Sequence, residues 1–259
     1  MSTLEYIILF TFLGSIGSLI GGVILLSKEK FALKISHFLA SFAAGTLLGT
    51  AFLSLLPEAA HEAEHSGTNI FLWTLGGIIF FFLVERFIHW FHHHDEYHES
   101  ETAHKKDSDS IIPLIIIGDT LHNFLDGIVI AATFMVNIPL GIATTIAIAM
   151  HEIPQEIGDF GLLLHKGLKR KTIIFINIFS AAAAFFGAIM TFMLGEVLED
   201  YIAILLALTA GLFIYIASSD LIPEIHHEKR KNFAIIETLL LIIGIALIWF
   251  TTGIFAHGH

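Results

Sequence analysis

The 259 residues are 55% apolar and only 14% charged, whereas soluble domains run roughly 45–50% and about 25%; that balance excludes an ordinary water-soluble domain. The absence of cysteine excludes disulfides and thiolate metal sites, so any transition-metal site must use imidazole, carboxylate, amide or thioether. The net charge of −11 hides a strong segregation along the chain, and no nucleic-acid partner is expected.

Apolar runs of ~20 residues recur throughout, each long enough to cross a ~30 Å hydrocarbon core. They predict eight transmembrane helices, near 5–26, 33–56, 70–91, 112–136, 139–165, 171–194, 201–222 and 233–255. All are helices, because an isolated strand leaves its backbone unsatisfied in lipid. The ~10-residue alternation of a membrane barrel is missing. The fold class is therefore all-α and polytopic, with the lipid bilayer as surroundings, and residues 1–259 form a single transmembrane domain. Met1 to Tyr6 carries only Glu5 and no basic residue, so the first run reads as a retained span and not a cleaved leader.

Loop charges orient the spans. Twelve of the thirteen Lys and Arg residues fall in alternate loops: Lys28–Lys34, Lys105–Lys106, Lys166–Lys171 and Lys229–Lys231. The intervening loops hold Glu58, Glu62, Glu64, Glu196, Glu199 and Asp200 without one Lys or Arg. The positive-inside rule puts the basic loops in the cytoplasm and both termini outside. The third loop, residues 92–110, carries His92, His93, His94, His98 and His104. It is expected to be loosely ordered and to bind metal weakly. Glu58 to His65 reads as a shorter acidic and His-bearing cluster beyond the second span, and His257 and His259 end the chain. Short loops suggest a plasma (inner) membrane of a prokaryote.

The chemistry concentrates in the fourth and fifth spans. His122, Asn123 and Asp126 lie in one; His151, Glu152, Gln155 and Glu156 lie in the next, with Asp159 just beyond. Polar side chains at bilayer depth cost at least ~2.5–3.5 kcal/mol when charged, so they signal function. His122 and Asp126 are i, i+4, as are His151 and Gln155, and Glu152 and Glu156, so each pair shares a helix face. The short connection around Asn137 and Pro139 makes the two helices antiparallel neighbours. His122 lies about 14 Å of rise beyond Pro113 and His151 about 18 Å beyond Pro139, which puts both clusters at one depth. Imidazole with carboxylate and no thiolate suits Zn²⁺, Fe²⁺ or Mn²⁺. Seven ligands exceed one tetrahedral zinc, whereas two ions sharing a carboxylate would use them. Pro154 removes a mid-helix hydrogen bond and frees the Met150 carbonyl, while Gly127 and Gly158 permit close helix approach. Asp220 ends the seventh span, followed by His226 and His227, as an exit or a solvated helix end. Ser54 and Glu58 read as an entrance or a solvated cap, and Glu85 and Arg86 as an interfacial pair.

The paired pattern His122-Asn123-x-x-Asp126-Gly127 and His151-Glu152-x-Pro154-x-Glu156-x-Gly158-Asp159 closely resembles the signature of the ZIP (zinc- and iron-regulated transporter-like) metal transporters. Leu55-Leu56-Pro57-Glu58-Ala59 and Asp220-Leu221-Ile222-Pro223-Glu224 match that plan, as do the spans, the outside termini and the His-rich loop. The resemblance implies a transporter and no enzyme, moving a divalent metal toward the cytoplasm through a binuclear site in a protein that is often a homodimer. It puts one ion on His122, Asp126, His151 and Gln155. The second falls on Asn123, Asp126, Glu152 and Gln155 with Asp220, Asp126 bridging. The metal is cargo, with no resident cofactor: zinc first, with iron, manganese or cadmium as alternatives, because Gln155 stands where many relatives of this branch have His. Competing readings are an intramembrane zinc hydrolase built on His151-Glu152-x-x-Gln155, and a proton-coupled exporter or non-metal transporter using the same groups as a relay.

Overall fold

The computed structural model describes residues 1–20, 23, 29–93, 107–165, 167–226 and 231–256. His94, His98, His104, His227, His257 and His259 lie outside them. Every regular element among the described residues is helical. Helix α1 (Thr3–Thr11) starts on a capping box, with Ser2 and Glu5 exchanging side-chain and backbone hydrogen bonds, and runs into a π-helical stretch, Phe12–Gly17. Helix α2 is composite: Glu29–Thr50, a π-helical turn Ala51–Leu55, then Leu56–Ser66. Next come α3 (Ile70–His93), α4 (Asp107–Val136), α5 (Ile138–His165) and α6 (Arg170–Met193). After short turns at Gly195–Leu198 and Glu199–Tyr201, α7 combines Ile202–Ile216, a second π turn Ala217–Leu221 and Ile222–His226; α8 is Lys231–Ala256.

Seven of these helices are long and apolar enough to cross a membrane. The eighth, α5, has the length, but the polar stretch from His151 to Asp159 dilutes its apolar character. Exposed Phe71, Phe175, Phe179, Phe186 and Trp249 coat the outside, as a lipid-facing surface requires.

Two expectations change. The acidic stretch after Pro57 is not a loop, because α2 continues through it to Ser66. A proline in mid-helix loses a hydrogen bond and crowds the preceding turn. Here the Leu56 N–H reaches back five residues to the Ala51 carbonyl, and this wider turn absorbs the misfit. The same solution recurs before Pro223, where the Ile222 N–H bonds the Ala217 carbonyl. The loop expected over 92–110 is also shorter, since α3 runs to His93 and α4 resumes at Asp107.

The helices pack as two sets. α4 lies on α6, and both meet α1 and α5; α2 lies on α8, and α3 on α7. The sets meet chiefly where α2 crosses α5. Reciprocal glycines bring the pairs together: a Cβ on Gly127 would strike the Ala184 carbonyl, and one on Gly187 the Phe124 carbonyl. Gly45 with Gly244, and Gly77 with Gly211, do the same for the other two pairs. Such backbone contact suits helices in lipid, where apolar side chains gain nothing by leaving the solvent. Gly158, expected to serve likewise, does not: nothing lies within 4 Å of a Cβ there.

Candidate metal centre

Only Asn137 separates α4 from α5, and its side-chain oxygen caps α5 by accepting from the Leu140 N–H at 2.9 Å. The tight reversal lays the two polar stretches face to face. Four residues converge: His122, Asp126, His151 and Glu152 each offer one ligand atom, all within 4.8 Å of one another. The Nε2 atoms of His122 and His151 are 3.1 Å apart, with the rings edge to face. His122 Nε2 lies 3.3 Å from Glu152 Oε1 and 3.8 Å from Asp126 Oδ2; His151 Nε2 lies 3.7 Å from the same Asp126 oxygen. A tetrahedral zinc with bonds near 2.1 Å sets its ligands about 3.4 Å apart, and these four edges straddle that value. His151 Nδ1 donates to the Ala147 carbonyl at 3.1 Å. That bond fixes the tautomer and leaves the Nε2 lone pair facing the cluster.

The oxygens point to a cation. Asn123 Oδ1, both Asp126 oxygens and Glu152 Oε1 are buried without a hydrogen bond. Each unsatisfied buried polar atom costs about 1–3 kcal/mol, more when charged. A divalent ion would offset several such costs at once.

The other expected ligands take different places. Asn123, 1% exposed, turns its Nδ2 to Asp119 Oδ1 at 3.0 Å. Glu156 faces away from the four, toward α6, where Asn177 Nδ2 donates to its Oε2 at 2.6 Å. Gln155 lines a cavity of about 980 Å³ below the cluster, shared with His122, His151, Asp119 and Asp159. Asp220 is exposed, lines the same cavity from α7 and accepts from Ser219. Glu85, expected to be an interfacial residue, accepts from the Tyr215 hydroxyl on that lining. Ser54 is buried and is no solvated cap; Glu58 holds Asn137 Nδ2 at 2.9 Å. Asp119 and Asn177 escaped the reading of the sequence. Asp119 carried a signal, standing four residues before Asn123 and seven before Asp126 on one helical row. Asn177, alone in an apolar stretch, carried none.

The family described as "ZIP Zinc transporter" matches residues 4–112 and 98–252. The chain belongs to the ZIP family. The "Zinc transporter ZIP13 homolog" of Drosophila melanogaster is 27% identical over 318 residues, covering 96% of this chain and 90% of that protein. "Zinc transporter ZIP4" of Rattus norvegicus is 29% identical over 276 residues, 82% of this chain and 42% of its own. "Zinc transporter ZIP10" of Danio rerio is 39% identical over 123 residues, 48% of this chain. The chain spans only 14–19% of the length of the ZIP10 and ZIP6 relatives it matches. The family and these relatives are named as zinc transporters, and this ZIP chain is an integral, multi-pass membrane protein.

Proposed function

We propose that this ZIP chain, acting as one transmembrane unit over residues 1–259, carries a divalent transition metal, zinc first, toward the cytoplasm. The observation that carries the reading is the quartet His122, Asp126, His151 and Glu152, with ligand atoms within 4.8 Å of one another and bare buried oxygens around them. A second ion binds beside it through Asn123, Gln155 and Asp126, and Asp220 receives it lower in the cavity. Zinc is the metal in the relatives' names; the amide Gln155 leaves iron, manganese and cadmium open.

The direction rests on the membrane potential, and the state of the carrier on where the cavity lies. Its lining comes from the ends of α2, α3, α4, α5 and α7 that adjoin the Lys- and Arg-bearing loops, the cytoplasmic side by the positive-inside rule, with both termini outside. The site therefore faces inward in this state. The α1, α4, α5 and α6 set carries the ion and shifts against the α2, α3, α7 and α8 set to face the other side. Membrane potential favours inward movement of a dication by roughly 4.6 kcal/mol per 100 mV. A plasma membrane and a homodimer complete the proposal.

Uptake into proteoliposomes of several divalent ions tests it. Asp126→Ala is expected to lower uptake by at least about tenfold, the lower bound for losing even a supporting group at a metal site. Gln155→His is expected to move the ion ranking toward zinc, since imidazole suits it better than an amide. Both variants behaving as the parent would end the reading.

A further inference from the structure

Asn123 has one side-chain atom that can ligate a cation, Oδ1, and one that repels it, the Nδ2 amide. The two differ little in size, so packing alone does not choose between them. Chemistry one turn earlier does. Nδ2 sits 3.2 Å from the Asp119 backbone carbonyl and 3.0 Å from Asp119 Oδ1. Both of those atoms are acceptors, so only the amide nitrogen can face them. The carbonyl oxygen is thereby turned the other way, and it is buried, with Asn123 1% exposed, and has no hydrogen bond. Asp119 itself is 7% exposed and does not belong to the quartet whose ligand atoms converge.

We propose that Asp119 is a positioning residue, which locks the Asn123 amide so that its oxygen and not its NH₂ group meets the transported ion. The inference rests on the metal-transport reading above and adds to it the residue that makes Asn123 a ligand. Supporting groups of this kind orient and polarise the ligands they hold, and their loss typically costs 10–100-fold in metal affinity. A carboxylate is the right support here, because a neutral amide at 119 accepts in one orientation and donates in the other. It would stabilise both settings of Asn123.

The test uses an aspartate at 123, whose two oxygens make orientation irrelevant. Zinc binding by titration calorimetry, and uptake in proteoliposomes, are compared for the full-length parent, Asp119→Ala, Asn123→Asp and the double variant, with melting temperature in metal-free detergent as the folding control. Asp119→Ala is expected to weaken zinc binding by about 10–100-fold when Asn occupies 123, and to cost little when Asp does. Asp119→Asn, which keeps the volume, covers the case in which the alanine variant fails to fold, and falls between parent and alanine. The inference is overturned if the parent binds zinc and either Asp119 variant binds as tightly. It is also overturned if the loss is equally large with Asp at 123, which would make Asp119 a direct ligand or a structural residue. A parent that binds no divalent ion overturns the transport reading and this inference together, and is distinguished by failing before any variant is compared.

Discussion

At the residue scale the centre is built from groups that would be unfavourable without a cation. His151 illustrates the division of labour: its Nδ1 is spent on the Ala147 carbonyl, so Nε2 turns its lone pair toward His122 and the cluster. Replacing His151 by Gln keeps a polar side chain but removes the directed lone pair. Zinc binding is expected to fall by about tenfold or more with little change in metal-free melting, checked by calorimetry against thermal denaturation. A drop in melting temperature with unchanged zinc affinity would make His151 a structural tie between α4 and α5. The candidate residues were legible, since seven polar groups inside two apolar runs are costly in lipid unless they bind something. Their grouping was not. Asn123 and Glu156 have neighbours on two sides, Asp119 and Asn177 among them, and helix rotation chooses which they meet.

At the scale of elements, the helices follow from hydropathy because lipid allows no other backbone solution. Their lengths differ where the span near 33–56 runs on as α2 through Pro57, which sits after a π turn. A proline announces a lost hydrogen bond, but whether the helix stops or widens depends on what packs beside it. Pairing through glycine makes a sharper prediction. Gly187→Val places branched carbon against the Phe124 carbonyl, and overpacking of this sort typically costs about 1–3 kcal/mol. The variant is expected to melt earlier in detergent, whereas Gly158→Ala, with open space around its Cβ, is expected to melt with the parent.

At the scale of the whole molecule, the cavity on one side and the Glu58–Asn137 hydrogen bond on the α2 side of the α4–α5 turn are what one state of the proposed transporter requires. Because the chain lacks cysteine, a cysteine introduced at Gly158, on the cavity wall, is a clean reporter. A membrane-impermeant thiol reagent is expected to label it from the face of the basic loops, and Glu58→Leu to slow that labelling by loosening the opposite side. Labelling from the acidic-loop face alone would reverse the assigned orientation.

The order of residues determined by itself that this chain lives in lipid, that it crosses as helices, and that side chains able to ligate a cation gather in the fourth and fifth of them. These follow from hydropathy and side-chain type, which are local properties. Only the tertiary structure decided that four of the polar residues bring ligand atoms within 4.8 Å of one another, that Gly158 faces open space, and that Asp119 holds the Asn123 amide. Those outcomes depend on the rotation and depth of each helix against its neighbours, and backbone contacts such as that between Gly127 and Ala184 set them across distant parts of the chain.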